Sequence, residues 1–108
     1  MTTMRFTQND YGIELIYIVK DKDGVILDVS LAAGVSSKTI HVGRRGEAAN
    51  LVDGSMNYVT DGTNGQLKYT PIAGALDEPG YYDCEIELGY TTGRRTIRSF
   101  TLQILPEL

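Results

Sequence analysis

Apolar and polar residues alternate with a period of two along most of this chain, and no window of useful length carries the 3.6-residue spacing of an amphipathic helix. Glycine-rich turns break the alternation about every ten residues, which is the pattern of an all-β sandwich. The first long run, 12–21, reads GIELIYIVKD. Ile13, Leu15, Tyr17 and Val19 fall on one face of it, and Glu14, Ile16, Ile18 and Lys20 on the other. DKDG at 21–24 reads as a turn, with Gly24 free to take positive φ. VILDVS at 25–30 follows as a short edge strand, and SKTIHVGR at 37–44 as a further strand with Ile40 and Val42 on a shared face.

GRRGE then forms a loop, and 47–54 fits no single element. MNYVTD at 56–61 and GQLKYT at 65–70 read as a hairpin through DGTNG, whose Asn64-Gly65 pair is a strong turn signal. Apolar residues on both faces of MNYVTD leave its register open. PIAGALDEPG at 71–80 is a longer crossing with room for one helical turn around 73–76.

The carboxyl-terminal hairpin carries the clearest alternation. Tyr82, Cys84, Ile86 and Leu88 alternate with Asp83, Glu85 and Glu87; Phe100, Leu102 and Ile104 alternate with Ser99, Thr101 and Gln103. Matching the two apolar faces requires an odd number of loop residues. Thr91-Thr92-Gly93 supplies three, with glycine last, where a G1 bulge needs it. Cys84 then faces Phe100 or Leu102, inside the fold. The expectation is one domain over 1–108, a two-sheet antiparallel sandwich of seven or eight strands, with MRFT near the amino terminus as an added strand.

Composition narrows the function more than the fold. Seven tyrosines against two phenylalanines, with twelve glycines, favour strands and turns. A net charge of −4 argues against general affinity for nucleic acid. No apolar run is long enough to span a membrane, and MTTMRFTQND lacks the basic-then-apolar layout of a secretory signal. A single cysteine makes no internal disulfide, so folding in a cytoplasm is expected.

Chemistry finds little purchase. Cys84 is expected to be buried, and the one histidine, His41, points away from Ile40 and Val42 toward solvent, so a Cys–His pair is the weaker reading. Two His or Cys residues fall short of a tetrahedral metal site. Asp21 and Asp23 resemble the opening of a calcium loop, but Leu27 and Val29 stand where oxygen ligands should continue, and a β-turn is the default. Asp83, Glu85 and Glu87 line a strand face that charges ordinarily solvate. The basic turns at 43–46, with Arg44 and Arg45, and at 93–95 suit salt bridges to a protein neighbour better than phosphate. Neither an enzyme nor a cofactor is expected. The anomaly is Ile16 and Ile18, two isoleucines on a nominally wet face; either another part of this chain or another subunit covers them. Tyr81 and Ile97, also nominally outward, extend such a patch.

Glu78-x-Gly80-x-Tyr82-x-Cys84 resembles the start of strand F in immunoglobulin folds, where a tyrosine two residues before a cysteine forms a corner with the preceding loop. The strand at 12–21 has no cysteine and the chain has no tryptophan, so the resemblance is to an immunoglobulin-like sandwich without its disulfide. Losing such a bridge typically costs about 2–5 kcal/mol, which packing of Ile13, Leu15, Tyr17 and Phe100 has to offset.

Taken together, the apolar strand before DKDG, then TNGQLKYT, EPGYYDCEIEL and RSFTLQIL, resemble the amino-terminal immunoglobulin-like domain of phage baseplate upper proteins, over about 12–105. Two departures are visible: GRRGEAANLVDG stands where the family's middle hairpin often turns through Pro-Asp-Gly, and this sequence ends at ILPEL with no helix or receptor-binding portion behind it. The resemblance implies a non-enzymatic virion structural protein, made in the host cytoplasm and repeated around a symmetric particle. Its expected contacts are other virion proteins or further copies of itself. Baseplate, tail or fibre-adaptor positions are implied first, with capsid decoration or a neck position as alternatives. A carbohydrate- or cell-surface-binding module is the competing reading from another class.

Overall fold

The computed structural model of the chain describes residues 2–44 and 50–107, without the side chains of Thr2, Asn50, Arg98 and Ser99. The strands are β1 (Thr2–Thr7), β2 (Leu15–Ile18), β3 (Val35–Arg44), β4 (Asn50–Ser55), β5 (Asn57–Tyr58), β6 (Gln66–Tyr69), β7 (Gly80–Tyr90) and β8 (Gly93–Leu105). The fold is all-β, and among the described residues the only helical element is a single 3-10 turn at Leu31–Ala33. One sheet has the order β1-β8-β7-β3-β4 and the other β2-β6-β5.

The larger sheet is mixed, where an antiparallel one was expected. β1 runs parallel to β8, from Thr2 opposite Phe100 to Thr7 opposite Leu105. Only strands joined by a tight turn are obliged to be antiparallel; β1 and β8 are separated by nearly the whole chain. The sheets pack face to face over one apolar core. Tyr82, Cys84, Ile86 and Leu88 from β7 and Phe100, Leu102 and Ile104 from β8 meet Leu15, Val19, Leu67 and Tyr69 from the smaller sheet and its flank. The rings of Tyr17 and Phe100 stack across the gap at 4.7 Å.

The last hairpin satisfies its face-matching parity by a different device from the one expected. Tyr90 pairs with Gly93, so the turn holds only Thr91 and Thr92. The odd residue sits instead in a β-bulge: Cys84 pairs with Phe100 and Glu85 with Arg98, leaving Ser99 unpaired. The bulge flips the alternation of β8 on its turn side. Ile97 therefore lies opposite Ile86 and packs, partly buried, against the core, and its expected outward position is corrected.

Other departures are local. Gly12 takes φ +75 and donates to the Pro71 carbonyl at 3.0 Å, so regular strand begins only at Leu15. Ile13 is left 54% exposed instead of sharing the buried face of Leu15. The expected strand at 25–30 reduces to one bridge, Lys20 with Ile26. There the Asp28 carboxylate accepts the Ser30 N–H at 3.0 Å and bends the chain into the 3-10 turn. Residues 73–76 form turns without a helix, although Leu76 is fully buried. The hairpin expected over 56–70 forms, with Asn57 opposite Lys68 and Tyr58 opposite Leu67. The region that fitted no element becomes β4 from Asn50 onward; 45–49 lie outside the described residues.

Candidate interaction surface

The corner forms around Tyr82. Its ring is buried, and its hydroxyl donates to the Glu78 carbonyl at 2.7 Å. Arg44, where the strand expected over 37–44 meets the basic turn at 43–46, is the last residue of β3, and its Nη2 donates to that hydroxyl oxygen at 3.0 Å and to the Pro79 carbonyl at 3.2 Å. The same nitrogen lies 3.2 Å from Glu78 Oε1. Gly80 holds φ +147, and a Cβ there would come within 3.3 Å of the Arg44 guanidinium. Arg44 thus ties the corner together, while Arg45 lies outside the described residues.

Cys84 is completely buried, opposite Val42 on one side and Phe100 on the other. Burial, with a smaller contribution from Asp83, pushes its thiol up to about 12. A thiol so resistant to ionisation makes a poor nucleophile. His41 is nearer to it than the sequence distance implied, since its neighbour Val42 pairs with Cys84. The two side chains nevertheless lie on opposite faces of the sheet. His41 is also less open to solvent than expected: Nδ1 is 2.5 Å from Asp53 Oδ1 and Nε2 is 3.6 Å from Glu87 Oε1. Such a histidine has an orienting carboxylate, but the described hydroxyl residues on its face, Thr39 and Ser55 among them, make no hydrogen bond to it. Glu87 is further held by Arg94 at 3.3 Å. Asp83 and Glu85 occupy the same outer face.

DKDG is a turn. Asp21 Oδ1 accepts the N–H groups of Asp23 at 2.9 Å and Val25 at 3.0 Å, and Gly24 takes φ +82. One carboxylate oxygen is thereby engaged by the backbone, and among the described residues no group of three His, Cys, Asp or Glu side chains converges. Asp61 does similar work in the hairpin loop, where Thr63 donates its hydroxyl and its N–H and holds the carboxyl below the usual carboxylate range.

Several apolar side chains are left exposed, Leu31, Ile72, Val25 and Ile26 among them. Ile16 and Ile18 are 43% and 37% exposed on the outer face of the smaller sheet. A shallow hollow of ≈310 Å³ lies at the seam where β2 approaches β1, lined by Met4, Ile16, Tyr17, Ile18 and Lys20. Met4 could have been anticipated from MRFT, where Met4 and Phe6 alternate with Arg5 and Thr7. Tyr81 is 60% exposed but belongs to the outer face of the larger sheet, opposite Gln103. Tyr81 therefore does not extend the isoleucine patch, whereas Ile97, partly buried, lines a neighbouring hollow that shares Lys20 with the one beside Ile16 and Ile18.

No protein-family model matches the chain, and no curated protein is a significant match to it.

Proposed function

We propose that this chain is an eight-stranded immunoglobulin-like domain serving as a non-enzymatic virion structural protein, working through protein–protein contacts in a baseplate, tail or fibre adaptor. The strand order supports the fold assignment. β2-β6-β5 corresponds to strands B, E and D, and β8-β7-β3-β4 to strands G, F, C and C′ of a variable-type sandwich, with β1 beside G. The Tyr82–Glu78 hydrogen bond supplies the tyrosine corner of such folds.

The observation that carries the contact role is the exposed Ile16–Ile18 pair beside the Met4 hollow. Two neighbouring isoleucines on the solvent face of a strand, beside an apolar hollow, supply the start of a patch that a partner can cover. Assignment to a virion rests on the resemblance of the DKDG, TNGQLKYT and EPGYYDC segments to phage baseplate domains. The test is mass spectrometry of purified particles of the virus that encodes the chain. Peptides in fixed stoichiometry with other structural proteins are expected, and immunogold labelling then separates tail from capsid or neck. Absence from particles together with specific glycan binding would replace this reading with that of a surface-binding module.

A further inference from the structure

We infer that β2 pairs with β2 of a second copy of this chain, antiparallel and in a single register, joining the two smaller sheets across a twofold axis. Among the described residues β2 is an edge strand, with β6 on one side only. Val19 N–H donates to the Gly65 carbonyl at 2.8 Å, on the β6 side. Backbone groups alternate in direction along a strand, so Leu15 and Tyr17 also face β6 while Ile16 and Ile18 direct their N–H and C=O groups outward. Among the described residues no further backbone bond reaches Ile16 or Ile18. Edge strands are ordinarily blunted by charge, proline or a covering segment. This one instead presents two isoleucines.

The register follows from matching. Outward-directed residues must meet outward-directed residues, so even positions pair with even positions. With Tyr17 on the twofold axis, Ile16 meets the partner's Ile18, and Glu14, which already pairs with Lys68 of its own chain at 2.9 Å, meets the partner's Lys20 as a second cation. Apolar then faces apolar, and acid faces base. A shift of two residues one way sets Glu14 against the partner's Ile18; the other way sets Ile16 against the partner's Lys20. Both lose the charge pair and half of the apolar pairing. Leu15, Tyr17 and Val19 keep their inward faces throughout. A second copy is the occupant that brings both the isoleucines and the matching charges. This deepens the contact reading above and rests on it only in treating the isoleucine face as an interface.

Cysteine cross-linking tests the register. In a hydrogen-bonded antiparallel pair Cα atoms stand about 5.5 Å apart, within the roughly 4.4–6.8 Å that a disulfide spans. Ile16→Cys and Ile18→Cys chains, carrying tags of different size, are mixed and oxidised with diamide. The mixed disulfide is expected to form about tenfold faster than either same-site disulfide, since same-site pairs are diagonal and sit about 7–8 Å apart. Cys84 is buried and leaves the parent chain as an uncross-linked control. Sedimentation velocity supplies the second measurement: Lys20→Glu and Glu14→Lys chains should each lose the dimer, and their mixture should regain it. Equal rates for all three disulfides, or no dimer at any concentration up to the millimolar range, would overturn the pairing. If cross-linking fails while Ile16→Lys still reduces incorporation into particles, only the self-pairing falls. If the mixed disulfide forms but the protein is absent from particles, the pairing stands and the virion assignment falls.

Discussion

The Tyr82 hydroxyl donates to the carbonyl of Glu78, four residues upstream, at 2.7 Å, and the Arg44 guanidinium donates from β3 to the Tyr82 hydroxyl oxygen at 3.0 Å. One side chain thus fastens the loop preceding β7 to the neighbouring strand. Tyr82→Phe keeps the ring in the core and removes both bonds. A loss of about 1–2 kcal/mol is expected from two part-buried hydrogen bonds, read as a lower urea midpoint at unchanged slope. Gly80→Ala should cost about 1 kcal/mol or more, because its backbone sits where a Cβ is strained. Wild-type stability in both variants would remove the corner from the account of this fold.

The buried thiol predicts a pH dependence. Its pKa is raised from 9.0 in the unfolded chain to about 12. Below pH 9 both states hold the proton and the contribution is fully present. Between pH 9 and 12 the unfolded state loses the proton and the folded state keeps it, so stability falls as pH rises. Relative to Cys84→Ala, which lacks the group, the wild type should lose about 1.4 kcal/mol between pH 8 and 10. Denaturant titrations at the two pH values check this, since tyrosine ionisation cancels in the difference. A constant gap between the two proteins would contradict it.

Ile16→Lys and Ile18→Lys should leave the monomer folded, with stability changed by about 0.5 kcal/mol or less, as at ordinary surface positions. Leu67→Ala, one strand away and fully buried, should cost about 2–5 kcal/mol. Circular-dichroism melts of the three variants make the comparison. If either lysine variant unfolds, the isoleucines belong to the core and the contact surface must lie elsewhere.

Gly93 separates the two turn geometries. In a three-residue loop with a G1 bulge it would need positive φ, and alanine would be costly there. In the structure it lies outside the positive-φ glycines, and a Cβ would meet nothing within 4 Å. Gly93→Ala should therefore be neutral or stabilising by up to about 1 kcal/mol, read from the thermal midpoint.

That hairpin also marks how far the sequence could be read. Tyr82, Cys84, Ile86 and Leu88 were legible because a strand with one wet face writes its burial at every second residue. The parity of the β7–β8 connection was legible too, but a three-residue loop and a two-residue turn plus a bulge have the same parity. Ile97 was misplaced for that reason. The parallel pairing of β1 was hidden because orientation depends on a partner about a hundred residues away. Ile13 followed the alternation on paper and left the core because Gly12 turns the chain just before it. Of the surface, Ile16 and Ile18 stood out as apolar residues on the wrong face. The Asp53–His41–Glu87 contact requires the β3–β4 and β3–β7 registers, and no local pattern encodes those.

The parallel pairing of β1 with β8 determines how this domain meets tension. Thr2 lies at one end of their shared ladder and Leu105 at the other, with six residue pairs between and including them. Pulling the chain outward from those two points drags the strands past each other, so all six pairs bear the load together. A hairpin pulled from its open end would instead unzip one pair at a time. The fold resists stretching along its own ends.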